Sequence, residues 1–351
     1  RCAVLNVGGW FDAEDPVGPF HIYHAVERNN PGIVNQLVMG PWGHGGWAGG
    51  DGDRLGNLNF GVKTGEFFRE QIQFPFFMHY LKDQPAGLPE AFMFLTGLNE
   101  WRRKEAWPPK TLSPLTLFFR GGHELGTAAP SEGGQGAFDE YISDPNRPVP
   151  FVGYIVDGMT FDYATEDQRF ASQRPDVLVY QSAPLEEDLI IAGPIKVRLN
   201  VSTSGTDSDF VVKLIDVYPG TYPQPALPEG QRPPVNAVRM GGYQQLVRGE
   251  PFRGKYRNGF EQGLQRLLAL ARKDEEVVHL VFDLAHQVFT VGAQQFEHLV
   301  TVAFKAVHDV CRLLHAARHP RSDNVKQCSS RVTRRQVPEE IFPRCVFGSL
   351  V

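Results

Sequence analysis

Ala3-Val4-Leu5-Asn6-Val7-Gly8-Gly9-Trp10-Phe11-Asp12-Ala13-Glu14-Asp15 decides how the rest of the chain is read. Its apolar run reads as a buried strand, and the glycine pair as a turn that delivers a carboxylate just past the strand end. The pattern returns at Ile33-Val34-Asn35-Gln36-Leu37-Val38-Met39-Gly40-Pro41-Trp42-Gly43-His44, where the group past the strand is an imidazole. Between the two, Pro19 to Asn29 opens on proline and predicts a helix. A strand, a helix and a second strand make a βαβ unit with parallel strands. Asp12 and His44 then emerge side by side at one edge of the sheet.

That juxtaposition has a chemical meaning. Acyl-bond hydrolysis needs a nucleophile, a base to take its proton, and a group that fixes the tautomer of the base. In an α/β-hydrolase the serine comes first in the chain, then the acid, then the histidine. Asp12 fits the acid and His44 the base. The serine of a Gly-x-Ser-x-Gly elbow is absent from the sequence. Ser204 and Ser208 sit in a Gly/Asp-rich turn without the strand–elbow–helix context. The chain opens on Arg1 inside a strand, so it reads as a fragment whose elbow lies upstream and which is inactive alone.

Working outward, residues 1–112 alternate strand and helix signals and read as the C-terminal part of an α/β-hydrolase catalytic domain. Helices are predicted at Thr64–Gln73 and Phe76–Lys82 with a break at Pro75, and a strand at Ala91–Leu95. Phe67, Phe68, Ile72, Phe76, Phe77 and Leu81 are expected to bury against the sheet. Glu100 to Pro109 leads out of the domain. Residues 113–256 carry short β-branched runs between Gly, Pro and Asp turns, such as Leu115–Phe119, Val177–Gln181, Ile190–Ile191, Ile195–Ser202 and Asp209–Tyr218, which predict a β-sandwich. Residues 257–351 change texture. Phe296, Leu299, Val300, Ala303, Ala306, Val307, Val310, Leu313 and Leu314 follow a helical rhythm, Leu264–Ala271 also leans helical, and Val277–Leu284 reads as a strand. This tail is read as a frameshift or fusion, or else as a genuine alternative domain, and on either reading the sandwich is left incomplete with its edges unpaired. The fold class is thus α/β plus all-β.

Composition excludes several function classes. A length of 351 residues favours two domains, and a net charge of −5 with no basic block in the first two thirds argues against a nucleic-acid partner. No apolar run is long enough to span a membrane. Cys2, Cys311, Cys328 and Cys345 are too few and scattered for a disulfide framework or a metal site. The histidines at 279, 286, 298, 308, 315 and 319 lack metal spacing on one face. Asp51 and Asp53 read as a solvated turn, His21 and His24 as surface or packing residues, and Trp10 and Trp42 as packing walls. No metal or cofactor is expected.

Three motifs together, Gly9-Trp10-Phe11-Asp12, Gly40-Pro41-Trp42-Gly43-His44 and Phe74-Pro75-Phe76-Phe77-Met78-His79-Tyr80-Leu81-Lys82, carry a resemblance. Asn99-Glu100-Trp101, Asp176-Val177-Leu178-Val179-Tyr180 and Gly193-Pro194-Ile195 extend it to about residue 256. The chain resembles the cocaine-esterase / X-Pro dipeptidyl-peptidase family of serine hydrolases, and within it most the α-amino-acid ester hydrolases and glutaryl-acylase-like members. The resemblance implies an α/β-hydrolase domain, a helical cap upstream and a C-terminal jelly roll, with Asp12 as triad acid and His44 as triad base. It also implies that Glu14 and Asp15 belong to an acidic cluster that binds the α-ammonium group of the substrate. On residues alone, those two carboxylates serve equally well as charges at a helix start. The implied partner is a small molecule or peptide with a free α-amino group, and the implied location periplasmic or secreted; homo-oligomerisation is left open. The competing reading is a non-catalytic jelly roll that binds carbohydrate or protein, with a vestigial hydrolase part.

Overall fold

The computed structural model describes residues 2–130, 138–158, 160, 163–204, 208–225 and 237–257, together with three strands at Val278–Val291, Leu299–Val307 and Arg344–Gly348. The N-terminal unit runs β1 (Val4–Gly9), α1 (Gly18–Asn29), β2 (Asn35–Gly40), a small hairpin of β3 (Arg54–Leu55) and β4 (Leu58–Asn59), α2 (Thr64–Phe68), a π turn (Arg69–Gln73), α3 (Phe74–Lys82), β5 (Ala91–Leu95) and β6 (Glu100–Lys104). The four-stranded sheet has the order β1-β2-β5-β6. β1, β2 and β5 are parallel, and β6 is antiparallel to β5. Every residue of β2 and of β5 is buried, as expected of strands covered on both faces.

Two sequence expectations change in this unit. Glu100–Lys104 does not lead out of the domain but adds a strand to the sheet. Pro75 does not break the helix. A π turn immediately precedes it, and the wider turn takes up the ring and the missing N–H within one continuous rod. The burial of that rod is also narrower than predicted. Phe68, Ile72 and Phe76 pack inward, while Phe77 is 48% exposed and Leu81 70% exposed.

The second unit contains two sheets. One has the order β13-β12-β15-β10-β8-β7 and the other β14-β11-β16-β9. The strands are β7 (Phe118–Arg120), β8 (Glu124–Gly126), β9 (Phe138–Ile142), β10 (Leu178–Gln181), β11 (Leu189–Thr203), β12 (Asp209–Val217), β13 (Gln244–Arg253), β14 (Val278–Val291), β15 (Leu299–Val307) and β16 (Arg344–Gly348). Leu178, Tyr180, Phe210, Val212, Leu214 and Val247 of the first sheet meet Tyr141, Val197, Leu199 and Val201 of the second in one apolar core, so this unit is a β-sandwich. Ile190–Ile191 and Ile195–Ser202 are one strand, β11, with a register irregularity between Gly193 and Ile195 at Pro194.

The helical rhythm assigned to 296–314 is overturned where the structure describes that stretch. Leu299–Val307 is a strand, paired antiparallel with both β10 and β12. Its sequence is rich in β-branched residues, and a slot between two strands satisfies its backbone on both sides, so tertiary pairing overrides the local period. β14 (Val278–Val291) takes in the predicted strand from residue 278 on, runs on to Val291 and pairs along most of β11. β15 thus fills the slot between β10 and β12, and β14 adds an outer strand beside β11. The helix expected at Leu264–Ala271 lies outside the described residues. Among the described residues, no helix is long and apolar enough to cross a membrane.

The units share a core. Trp10, Phe11, Phe20, Leu37, Met39 and Phe94 pack with Ala164, Met240 and Tyr243 from the sandwich side. The turn that follows β1 therefore lies against both units.

Candidate active site

The site is built by two turns that continue the β1–β2 pairing past the strands. The Trp10 N–H donates to the Gly40 carbonyl at 2.8 Å, and the Phe11 N–H to the Trp42 carbonyl at 3.1 Å. This zipper needs glycine. A Cβ on Gly9 would stand 2.1 Å from the Trp42 carbonyl oxygen, and one on Gly40 would stand 2.4 Å from the Trp42 ring. Trp10 and Trp42 are the packing walls that the sequence suggests. Trp10 Nε1 donates to the Phe94 carbonyl at 2.9 Å, and Trp42 Nε1 to Thr64 Oγ1 at 2.8 Å. Phe11 stacks on Phe60 with centroids 6.2 Å apart.

The zipper brings Asp12 and His44 together. Asp12 is 4% exposed. Its Oδ1 accepts from the backbone N–H groups of Glu14 at 2.8 Å and Asp15 at 2.9 Å, which pins the carboxylate in its own turn. His44 Nδ1 lies 3.0 Å from Asp12 Oδ2 and 3.2 Å from Oδ1. A carboxylate only accepts, so Nδ1 carries the proton and Nε2 of the neutral ring is bare. The imidazole side chain is 46% exposed, so Nε2 faces the open side of the turn. The Asp12 hydrogen bond and then its charge raise the His44 imidazole above its ordinary value; Glu14 and Asp15 add to the rise, and partial desolvation opposes it.

Glu14 and Asp15 part company. Glu14 Oε2 lies 3.8 Å from His44 Nε2, on the exposed side of the ring. Asp15 Oδ1 accepts from the Gly18 N–H at 2.7 Å and so holds the start of α1. Asp51 pairs with Lys63 at 3.3 Å. No cluster of metal-ligating side chains occurs among the described residues. His24 faces α1's own Arg28, and burial followed by that positive neighbour lowers its imidazole, as befits a packing residue.

Some contributors escape a reading of the sequence. Thr64 is fully buried and donates to the Gly52 carbonyl at 2.5 Å while accepting from Trp42, so it ties the His44 loop to α2. Tyr163 reaches in from the sandwich side and packs on the Trp10–Phe11 cluster. Burial pushes its phenol up; Arg248 pulls it back, and Glu250 and Asp12 add to the rise. Nothing local marks either residue. The glycines of the zipper could have been found, since Gly8-Gly9 and Gly40 sit where strand ends converge.

The chain is similar to proteins of known kind. Residues 81–268 match the family model described as the X-Pro dipeptidyl-peptidase C-terminal non-catalytic domain. Cocaine esterase from Rhodococcus sp. (strain MB1 Bresler) is 34% identical over 229 residues, which cover 61% of this chain and 38% of that protein. A solved α-amino acid ester hydrolase superposes with a TM-score of 0.75 at 35% identity, covering 88% of this chain and 49% of that one. An aminopeptidase from a marine sediment archaeon, Thaumarchaeota archaeon, superposes with a TM-score of 0.74 at 34% identity, covering 88% and 48%. The chain thus spans half or less of the length of these relatives, which are hydrolases. With its family-model match covering more than half of its residues, the chain belongs to the cocaine-esterase / X-Pro dipeptidyl-peptidase (CocE/NonD) family.

Proposed function

We propose that Asp12 and His44 are the acid and base of a Ser-His-Asp acyl hydrolase, and that the nucleophilic serine is supplied by residues outside this chain. The observation that carries the reading is the 3.0 Å contact between His44 Nδ1 and a buried, backbone-pinned Asp12. In this mechanism Asp12 keeps the proton on Nδ1 and stabilises the imidazolium. Bare Nε2 takes the serine proton as the hydroxyl attacks the acyl carbon, then returns it to the leaving group. A water repeats the cycle to release the acyl group. The substrates are α-amino acyl esters or amides, or N-terminal X-Pro dipeptides. Glu14, beside Nε2, supplies negative charge where a substrate α-ammonium would lie, and Asp15 adds to that field from the start of α1. The part of this chain that precedes the sandwich is then the C-terminal part of an α/β-hydrolase domain, and the sandwich is a jelly roll.

A non-catalytic jelly roll that binds carbohydrate or protein is the second reading. The description of the matched family model as a non-catalytic domain favours it. One experiment separates the two. A polypeptide that carries this chain together with a Gly-x-Ser-x-Gly elbow is assayed on phenylglycine methyl ester. Its His44→Ala variant is expected to lose about 10³-fold or more in kcat. Near-normal turnover by that variant would remove His44 as the base, whereas no turnover by the parent polypeptide would leave the binding reading.

A further inference from the structure

Lys213 stands apart from the other amines. Along β12, Phe210, Val212 and Leu214 enter the sandwich core, so Lys213 points to the opposite face. There it is half-buried, and its Nζ donates to Gln168 Oε1 at 2.6 Å. It also lies 5.7 Å from the centroid of the Phe170 ring. Gln168 is itself buried and held in place: its Nε2 donates to the Glu166 carbonyl at 2.7 Å, and its backbone N–H to the Gln244 carbonyl at 3.0 Å. The amine thus faces a fixed neutral amide and a phenyl ring.

Among the described residues no carboxylate pairs with it. Of the charged groups on the elements around it, Asp167 pairs with Arg169, Asp176 with Arg174, Arg248 with Glu250 and Asp209 with Arg253, and Asp216 of β12 itself is buried beside Tyr218 and Tyr222. β13 places Gly249 opposite Lys213. β15 places the backbone of Ala303 opposite it. Lys63 is the contrast, since its ammonium contacts Asp51 at 3.3 Å and Glu66 at 3.1 Å. Burial pushes the Lys213 ammonium down to about 8, whereas the carboxylates around Lys63 raise it.

We propose that Lys213 is an acylation site that takes acyl groups from activated esters near neutral pH. The Nζ lone pair attacks the acyl carbon. The bond from that carbon to the alkoxy oxygen breaks, its electron pair leaves with the oxygen, and the proton shed by nitrogen passes to water. The product is a neutral amide. It keeps an N–H for Gln168 Oε1 and carries no charge into the apolar surround.

The test uses the chain as it stands. It is treated with a limiting amount of N-acetoxysuccinimide at about pH 7.5 and again at about pH 10.5, digested, and mapped by mass spectrometry. At the lower pH, acetylation of Lys213 is expected to exceed that of Lys63, Lys82, Lys110 and Lys196 by about tenfold, from its larger fraction of free amine. At the higher pH the preference is expected to collapse. Gln168→Glu, which gives the ammonium a counter-charge, is expected to bring Lys213 down to the level of Lys63. Acetylation of Lys213 at or below the surface lysines at the lower pH overturns the proposal on the wild-type protein alone. A preference untouched by Gln168→Glu in a folded variant overturns it as well.

Discussion

Replacing Gly9 by alanine tests the construction of the site at its tightest point. The new Cβ would lie 2.1 Å from the Trp42 carbonyl oxygen, 2.8 Å from the Trp42 carbonyl carbon and 3.2 Å from the Gly43 carbonyl oxygen. All three atoms are backbone, so no side chain can swing aside. Relief of the first contact to ordinary van der Waals distance requires the His44 turn to retreat by about 1.3 Å. The Phe11 N–H to Trp42 carbonyl hydrogen bond, already 3.1 Å long, does not survive that retreat. Neither does the 3.0 Å contact between His44 and Asp12. Overpacking costs about 1–3 kcal/mol, and the lost backbone hydrogen bond about 1 kcal/mol more. The sum, about 2–4 kcal/mol, is readable by urea unfolding. NMR titration of His44 should show its imidazole falling back toward its ordinary value in the same variant. Gly49→Ala is the control, since nothing lies within 4 Å of a Cβ there, and it should change stability by less than about 0.5 kcal/mol. The reasoning is refuted if Gly9→Ala matches that control and leaves the His44 titration where it was.

Other expectations follow from the same contacts. Asp12 raises the His44 imidazole, so, on the proposed function, hydrolysis by a polypeptide that adds the serine elbow should switch on as pH rises through a midpoint displaced upward from the ordinary imidazole value, and Asp12→Asn should move that midpoint down. The sign for stability is the reverse: the pair's contribution is present below the unfolded imidazole value and is lost as pH climbs through the folded one, which pH-dependent urea unfolding measures. Thr64→Val leaves the Trp42 indole N–H and the Gly52 carbonyl without their partner, and should cost about 2–4 kcal/mol in the same assay. Burial pushes the Lys213 ammonium down to about 8, so the wild-type chain should gain stability between about pH 8 and 10, where unfolding takes up a proton. Lys213→Met should remove that slope and stabilise the chain at neutral pH by about 1–2 kcal/mol, the ~3 kcal/mol of holding a charged amine there less one hydrogen bond.

The meeting of Asp12 and His44 was legible because its signals are local. Each half is a strand, a glycine turn and one polar group, and the parallel pairing of two such units is nearly forced by the helix between them. The division of labour between Glu14 and Asp15 was not legible, because both readings put the same charges at the same helix start, and only the Gly18 contact separates them. The α/β layers were legible from full-length apolar runs such as Ala91–Leu95. Leu299–Val307 misled because its spacing fits a helix face as well as a strand, and what decides is a slot between β10 and β12, whose residues lie far away in the chain. Phe77 and Leu81 misled for a related reason: a helical stripe tells which residues share a face but not how wide a neighbour will cover it.

The central claim is that the Asp12 carboxylate sets the state of the His44 ring. Nitrogen-15 NMR of the His44 side chain, wild type against Asp12→Asn, reads that directly. At a pH above the midpoint of the His44 titration, the account predicts a neutral ring with its proton on Nδ1 and a bare Nε2 in the wild type, with the proton moving to Nε2 in the variant. A ring that carries its proton on Nε2 in the wild type, or that is the same in both proteins, would contradict it.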